Sequence, residues 1–488
     1  MQHTLVKLSV SLGEEIIQLS TLDQQAQRAY ANLLLVFELN QNVNAENIFQ
    51  GLEQGLAAAL TELPDFASLV VPSPDSKKNE LQLRLGPESG VPFKRIGQAD
   101  LARSLERNSS IQQNGFAYGD LAKANFPLAS VPAEILFNQQ PAAQAGAEGL
   151  PALLAQANMV DGGLIIGLSW HHTVSDARGI NTLLSSWARY TQHWMSHGTV
   201  GSLTAAPEPT RDRWRLTCGP RNVDAGHLSS YQINPDVRTP LSAATAHLLD
   251  RPNVTDVAAE LSTWYFSKKA LNALRTTLGS VGIDGSNAVQ FTNGEAVSAL
   301  VWKHLSLARL LHQEPAYHSS LFASRIDFRG RAKPTFSDDF IGNINEPNAR
   351  VRMCLDEVCS ASNPQSLAML AMAVREAIGS MDENAMRDFI GLVEGLPAVT
   401  DLYWDYNSFP GPDLVVTDMS GMDTLRQDWG AALGHPVCIR SGSREKGVAY
   451  FLPQDKDGGF EVQLQCTGED LGRLKADELF TEYAEFRC

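Results

Sequence analysis

Residues 163–179 read GLIIGLSWHHTVSDARG, and this stretch decides how the fold is interpreted. Residues 163–170 are mostly aliphatic and carry no charge, which predicts a strand buried on both faces. From Ile180 onward apolar residues recur at helical spacing, which predicts a helix packed on a core. A strand that passes through a short turn into a helix is typical of an α/β fold.

His172 stands at the end of this strand, and Asp176 follows four residues later. In α/β folds, catalytic and binding residues often lie at strand ends, because the rigid sheet positions the loops that surround the substrate. The spacing alone is not specific, since a chain with 11 histidines contains roughly 0.6 His-x-x-x-Asp matches by chance. A buried, hydrogen-bonded histidine beside an N-cap aspartate would give the same pattern.

Length and composition indicate a globular protein of two domains. A chain of 488 residues is longer than a domain with a single hydrophobic core usually is. Of its residues 43% are hydrophobic and 19% are charged, which is typical of a globular protein. The formal net charge of −16 argues against a nucleic-acid partner and against an anionic membrane surface.

The sequence also predicts the cellular compartment of the protein. It contains no apolar run of membrane-spanning length and no signal-peptide layout near Met1, so we expect a cytoplasmic protein without a membrane partner. Its six cysteines show no C-x-x-C spacing, which favours free thiols over disulfides and predicts no metal site.

Strand-like and helix-like segments alternate in both halves of the chain. Predicted strands lie at 8–12, 31–39, 81–85 and 261–266, and predicted helices lie at 45–63, after Ser267 and after the Thr292/Glu295 capping box. The proline-rich segment 203–253 has little periodicity and is interpreted as a crossover. We therefore predict an N-terminal domain at 1–202 and a C-terminal domain at 254–488.

Several landmarks around His172 resemble, in order, those of the BAHD-type CoA-dependent acyltransferases, and in particular their fungal branch, which includes trichothecene O-acetyltransferases. The residues that carry the resemblance are Leu19 to Asp23, Gln156 to Asn158, Gly162 to Leu164, Thr210 to Arg213, Thr292 to Trp302, Asp327 to Arg331, Gly342 with Asn343, and Asp428 to Gly430 with Gly434 and Pro436. They extend over nearly the whole chain, so the resemblance is far more specific than the His-x-x-x-Asp spacing alone.

The resemblance implies a fold and an activity. The fold is two similar chloramphenicol-acetyltransferase-like domains, each a mixed sheet with helices, joined by a long crossover with the active-site channel at their interface. The activity is transfer of an acyl group from an acyl-CoA, such as acetyl-CoA, to the hydroxyl or amine of a specialised metabolite. Acyl-CoA would be a co-substrate, no cofactor would be bound permanently, and we expect a monomer.

Roles follow for individual residues. His172 is the predicted general base, because a hydroxyl is a poor nucleophile until its proton is removed. The resemblance implies that Asp176 pairs with Arg329 and shapes the site, although direct orientation of His172 by Asp176 stays open. His171 is expected to face the opposite way and to be structural. Asp428 and Gly430 are expected to shape the channel wall.

Two further functions of the site have candidates. Thr417 is the candidate donor to the oxyanion, although the stretch Thr417-Asp418-Met419 departs from the Thr-Ser-Trp of plant relatives. Positive side chains near one mouth would hold the phosphates of CoA, unless they form an ordinary solvated surface. The candidates for this role are Arg331, Lys333, Arg440, Arg444 and Lys446.

Two alternatives to the acyl-CoA hypothesis remain open. His171-His172-x-x-x-Asp176 also resembles condensation-type enzymes, which take acyl groups from carrier proteins. The altered stretch at Thr417 would also fit a repurposed cyclase or binding protein that keeps the fold without acylating.

Overall fold

The computed structural model describes residues 2–10, 12–40, 43–74, 76, 78–107, 116–128, 131, 133–138, 148–201, 211–223, 231–233, 257–281, 289–404, 406–442 and 447–488. The strands are β1 (Gln2–Lys7), β2 (Glu15–Gln18), β3 (Tyr30–Glu38), β4 (Leu69–Pro72), β5 (Leu81–Leu85), β6 (Gly90–Ile96), β7 (Leu150–Pro151), β8 (Leu153–Val160), β9 (Gly163–His171), β10 (Tyr231–Ile233), β11 (Glu260–Phe266), β12 (Ser319–Ser324), β13 (Ala349–Cys354), β14 (Leu402–Trp404), β15 (Leu414–Asp418), β16 (Cys438–Ser441), β17 (Val448–Phe451), β18 (Phe460–Cys466) and β19 (Glu485–Phe486).

The α-helices are α1 (Thr21–Gln25), α2 (Ala45–Glu62), α3 (Gln98–Glu106), α4 (Tyr118–Lys123), α5 (Ala133–Leu136), α6 (Ala177–His197), α7 (Lys268–Gly279), α8 (Asn293–Ala308), α9 (Leu355–Val358), α10 (Pro364–Gly379), α11 (Glu383–Gly395), α12 (Gly468–Ala476) and α13 (Glu478–Thr481). Helix bounds agree closely with the sequence prediction where caps are strong. Ser267 accepts a hydrogen bond from the Ala270 amide at the start of α7, and Thr292 and Glu295 form the predicted capping box of α8.

Two mixed sheets form the centre of the molecule, which confirms the predicted α/β class. The first sheet has the order β1-β6-β8-β9-β3-β16 and contains both a parallel pair, β6 with β8, and antiparallel pairs. The second has the order β13-β12-β15-β17-β18-β11-β19, in which β12, β15 and β17 run parallel. Smaller sheets are formed by β2-β5-β4-β7 and by β10-β14.

Strand β9 is buried along its whole length at the centre of the first sheet, as its aliphatic sequence predicts. Its last residue, His171, pairs with Tyr30 of β3. Helices α2 and α6 pack together on this sheet, and the Trp187 indole of α6 donates a 2.8 Å hydrogen bond to the Leu52 carbonyl of α2. The end of β9 is therefore held by packing on several sides.

One strand does not follow the predicted division of the chain. Strand β16 belongs by sequence to the predicted C-terminal domain, yet it is the edge strand of the first sheet, where Cys438 pairs with Val36. Most of the predicted crossover at 203–253 lies outside the described residues. The described part of it includes a short helical turn, Arg213–Leu216, whose first residue enters the functional site.

The expected strand at 8–12 is not present among the described residues of that segment, which lies between β1 and β2. Val10 is exposed there and has no partner strand to cover it. The short apolar alternation therefore belongs to a connecting segment, because two or three alternating positions do not provide a buried face.

Candidate active site

A cavity of about 530 Å³ lies between the two sheets and is lined by residues from both halves of the chain. His172 lines it from the end of β9, and Thr417 lines it from the end of β15. Much of the wall is apolar, through Leu33, Trp170 and Met419. Its volume lies within the range of about 300–1,000 Å³ that is usual for small-molecule sites.

The turn after β9 fixes the backbone of His172. The His172 amide donates a 3.0 Å hydrogen bond to the Ala29 carbonyl, and the Val174 amide closes the turn by donating to the His171 carbonyl at 2.9 Å. The Trp170 indole donates to the Ser175 carbonyl at 3.1 Å. Hydrogen bonds thus hold both ends of the turn, so the backbone fixes the position of the His172 imidazole.

Asn343 contacts the His172 ring directly. Its side-chain amide nitrogen donates to the Asp23 carboxylate at 3.0 Å and to the His172 carbonyl at 2.9 Å. Because these two hydrogen bonds fix the side-chain nitrogen, the side-chain oxygen of Asn343 faces the His172 ring, and it lies 3.2 Å from Nδ1. Since a carbonyl oxygen only accepts, Nδ1 must carry the ring proton, and Nε2 is the basic nitrogen.

A buried ion cluster holds Asn343 in turn. Asp23 accepts hydrogen bonds from the Asn343 backbone amide at 2.7 Å and from Arg213 at 2.5 Å. Arg213 also donates to Asp65 at 2.9 Å and to the Val174 carbonyl at 2.9 Å. All three charged side chains are almost completely buried. Arg211 also pairs with Asp65 at 2.6 Å, so two arginines balance the two buried carboxylates, and the cluster anchors both Asn343 and the turn that carries His172.

His172 is uncharged at neutral pH. Burial, and then the positive charge of Arg325, lower the pKa of His172 below its ordinary value. An imidazole that is neutral, with Nδ1 protonated and Nε2 free, can accept a proton from a group bound in the cavity. This is the protonation state that the predicted role of general base requires.

We predict that Asn343 sets the tautomer of His172. In Asn343→Ala the Nδ1 proton loses its acceptor, so the form protonated at Nε2 should become substantially populated. Nitrogen-15 NMR of histidine-labelled protein measures this ratio, and the His172 signals are assigned by their absence from a His172 variant. Asn345→Ala is the matched control, since Asn345 lines the same cavity and should leave the tautomer unchanged. An unchanged tautomer in Asn343→Ala would contradict the assignment.

His171 faces away from the cavity, as expected. Its Nδ1 lies 2.8 Å from the Thr173 hydroxyl, and its ring contacts Tyr30 edge-on at 5.6 Å between centroids. Burial, with the neighbouring His172 and Arg28, lowers the pKa of His171 to about 3. This residue is a neutral part of the core.

Asp176 does not contact His172 but forms a bidentate ion pair with Arg329, with both N···O distances at 2.9 Å. It is also the N-cap of α6, where it accepts from the Gly179 amide at 3.1 Å, and it accepts from the Ile344 amide at 3.2 Å. Arg329 is 1% exposed and donates further to the Phe340 carbonyl. Asp176 therefore joins the His172 turn to the segment that carries Asn343, which is a site-shaping role.

The positions predicted for the channel wall need a correction. Asp428 accepts from the Gln192 side chain at 2.7 Å, and Gly430 packs against the Gln192 backbone with φ +95°. Both line a separate pocket beside the C-terminal half of α6, and neither lines the cavity that contains His172. Trp429, the residue between them, is fully buried against Trp187 of α6, which holds this segment on that helix.

Arg440, one of the predicted phosphate-binding cations, is corrected because its donors are used inside the protein. Arg331 donates from Nη1 to the Ile378 carbonyl in the last turn of α10 and to the Met381 carbonyl just after that helix, but its side chain is only part-buried, so its phosphate-binding role stays a prediction. Arg440 is 2% exposed, pairs with Glu461 and donates to the Asn125 carbonyl at 2.7 Å. Lys333 is exposed. Arg444 and Lys446 lie outside the described residues.

Three residues that meet behind His172 have no role predicted from the sequence. Asp23, Arg213 and Asn343 come from three separate landmarks, and no spacing within the chain shows that they converge. Their contacts depend on the packing of the two halves. The available signal was that each landmark contains a polar or charged residue inside an apolar setting, which predicts a buried partner but does not identify it.

Across the described part of the chain, no group of three or more histidine, cysteine, aspartate or glutamate side chains has a geometry that could hold a metal ion. Within the same residues, no helix has the length and apolarity needed to cross a membrane.

Two family models match the chain. Residues 120–480 match the Transferase family, and residues 29–189 match the trichothecene 3-O-acetyltransferase-like N-terminal domain. The second range includes β9, the His172 turn and most of α6.

Similar proteins are named acyltransferases. The acyltransferase cm3D of Cordyceps militaris is 74% identical over 488 residues, with both chains covered completely. The acyltransferase easC of Emericella nidulans is 50% identical over 490 residues, covering 100% of this chain and 98% of the relative. Among solved structures, Fusarium graminearum TRI101 in complex with coenzyme A and T-2 mycotoxin superposes with a TM-score of 0.77 at 20% identity, covering 97% of this chain and 100% of the other.

Proposed function

The chain belongs to the Transferase family, and from this premise we propose that it is an acyl-CoA-dependent acyltransferase of specialised metabolism. It would move an acyl group from acyl-CoA to the hydroxyl or amine of a small-molecule acceptor. The observation that carries the proposal is the neutral imidazole of His172, which lines a cavity between two sheets, has Nδ1 bonded to Asn343 and has no hydrogen bond to Nε2 from the described residues. The names of the relatives support the same activity.

The reaction follows from this geometry as a direct transfer. His172 Nε2 accepts the proton of the acceptor hydroxyl as its oxygen attacks the thioester carbonyl. The tetrahedral intermediate then expels the CoA thiolate, which takes the proton back from the imidazolium, so His172 ends the cycle neutral. The products are the acylated acceptor and free CoA, and no acyl-enzyme is required because the thioester is already activated.

The negative charge that develops on the carbonyl oxygen needs a donor. Thr417 remains the candidate, because it lines the cavity together with His172. Met419 also lines the cavity, but its thioether cannot donate a hydrogen bond, so it cannot replace an indole in this role.

The donor substrate would need positive groups for its phosphates. The Arg440 guanidinium already has internal partners, so this role stays a prediction for Arg331, Lys333, Arg444 and Lys446. The direct test of donor choice is calorimetric titration of the purified protein with free CoA, with an acylated carrier protein as the second ligand. Binding of CoA is expected. Failure to bind CoA, together with tight binding of the carrier protein, would favour a condensation-type enzyme.

We also propose a cytoplasmic monomer. The cavity is lined by both halves of a single chain, so one copy of the protein completes the site. Its six cysteines are free, which is typical of proteins in a reducing compartment.

The pH dependence of the reaction tests the protonation state of His172. Burial lowers the pKa of His172 below its ordinary value, so the neutral base should persist as the pH falls through 6.5. Protonation of the base at lower pH should then cause the loss of activity. We therefore expect the acid limb of kcat/KM against pH to have its midpoint below 6.5. A midpoint above 6.5 that disappears when His172 is replaced would contradict the assigned environment.

A further inference from the structure

Nearly all charged side chains that line the cavity are neutralised by a partner, as far as the described residues show. The pairs are Arg329 with Asp176 at 2.9 Å, Arg178 with Asp327 at 3.4 Å, and Arg325 with Glu346. The exception is Asp418, which has no ion-pair partner among the described residues. A carboxyl group therefore faces the cavity without a compensating charge.

Asp418 is fixed in place by its own loop. It is the last residue of β15, and its Oδ1 accepts a 2.9 Å hydrogen bond from the Ser420 amide. The other oxygen, Oδ2, approaches the first turn of α8 so closely that a Cβ at Gly294 would lie 2.6 Å from it. Glycine at this position thus permits the carboxyl group to stand over the helix start without a clash.

A second unsatisfied acceptor lies in the same wall. Asn293, the residue before Gly294, lines the cavity, and its side-chain oxygen is buried without a hydrogen-bond partner in the described structure. Asn293 and Asp418 therefore present hydrogen-bond acceptors to one cavity. A buried acceptor that stays unpaired is destabilising, so such groups are usually satisfied by protein, water or ligand.

The surroundings of Asp418 make a bound partner favourable. Its side chain is open to the cavity, yet enclosure by protein raises the pKa of the Asp418 carboxyl above its ordinary range. Leu33, Trp170 and Met422 line the same cavity and offer no charge to it. The Ser420 side chain and amide donate hydrogen bonds to the Asp418 carboxyl group, but no described cation pairs with it, so a donor that arrives with a ligand would add the missing partner.

The ligand is more reasonably the acceptor than the donor substrate. CoA carries several phosphates, and an unpaired carboxylate would repel them. An apolar acceptor with one additional donor group would use both the apolar wall and Asp418. Discrimination of this kind is strong, because a site built to pair with a polar group rejects an analogue that lacks it.

We propose that Asp418 is a specificity-determining residue that selects acceptors carrying a hydrogen-bond donor, either a protonated amine or a second hydroxyl, beside the group to be acylated. This inference rests on the proposed function, since it assigns the cavity to the acceptor of acyl transfer.

The test uses three eight-carbon probes that differ only in the additional group: 1-octanol, 1,2-octanediol and 2-amino-1-octanol. Their dissociation constants are measured by calorimetry with the full-length protein, with Asp418→Ala and with Asp418→Asn. The asparagine variant keeps an acceptor for the Ser420 amide, so it serves if the alanine variant fails to fold. Asp423→Asn is the matched control, because Asp423 is exposed in the same segment, contacts Asn181 and does not line the cavity.

The diol, the amino alcohol or both should bind at least ~10-fold more tightly than octanol to the wild-type protein and to the control. That preference should disappear in Asp418→Ala. Its loss for the amine but not for the diol in Asp418→Asn would identify a cationic acceptor. Equal binding of the three probes, no binding of any, or a preference that survives in Asp418→Ala and Asp418→Asn would overturn the proposal. Failure of the proposed function would be separate, since it would appear as absent CoA binding in the wild-type protein.

Discussion

Replacement of His172 by alanine is expected to lower turnover at least ~100-fold in a protein that remains folded. General bases typically contribute about 10²–10⁴-fold in rate, and the neutral Nε2 of His172 is the proton acceptor that the cavity provides. His172 is positioned by its turn and by Asn343, and it does not hold the core together itself. The measurement is steady-state kcat with a labelled acyl-CoA, alongside circular dichroism and thermal unfolding.

The neighbouring histidine is the control for this variant. His171→Asn removes an imidazole that is buried against Tyr30 and Thr173, so it should lower the free energy of unfolding by ~1–3 kcal/mol. Turnover per folded molecule should remain close to wild type, because His171 does not line the cavity. A folded His172→Ala protein with unchanged turnover would rule out His172 as the base.

Replacement of Asp176 by alanine is expected to act through stability. The Asp176 and Arg329 side chains are both buried, and removal of one partner of a buried ion pair costs about 3–5 kcal/mol. The same change removes the N-cap acceptor of α6 and the acceptor of the Ile344 amide. Since natural proteins are stable by only about 5–15 kcal/mol, much of the protein should be lost as unfolded material. Urea unfolding measures the change.

A double replacement distinguishes the structural role of the Asp176–Arg329 ion pair from a direct role of Asp176 in catalysis. Asp176→Leu with Arg329→Met removes both charges, so it should be more stable than either single variant, because no buried charge is left unpaired. The alternative role, direct orientation of His172, makes a different prediction. Asp176→Ala would then fold with wild-type stability and lose turnover as severely as His172→Ala.

The local parts of the fold were predictable because their causes are local. Strand β9, the helix that follows Asp176 and the capping boxes are determined by residues within a few positions of each other. The ion pair of Asp176 with Arg329 followed only from the family resemblance. Neither route showed that β16 joins the first sheet, because pairing of Cys438 with Val36 depends on contacts between distant parts of the chain.

The candidate site divides in the same way. His172 could be identified from its place at a strand end, whereas Asn343 and Asp23 could not be assigned, since they meet only when the two halves pack. The prediction that Arg440 binds phosphate was wrong for a related reason. A sequence shows that an arginine is charged but not whether it is buried, and the Arg440 guanidinium pairs with Glu461 inside the protein. Asp418 likewise became informative only when the pairing of its neighbours was known.

The most direct test is mass spectrometry of the acyl transfer itself. Purified protein is incubated with isotopically labelled acyl-CoA thioesters of several chain lengths and an extract of small-molecule metabolites. Label is expected to appear in a metabolite as free CoA is released, and His172→Ala is expected to abolish both within detection. Label that reaches no metabolite from any acyl-CoA, or that transfers equally with folded His172→Ala, would contradict the proposed function.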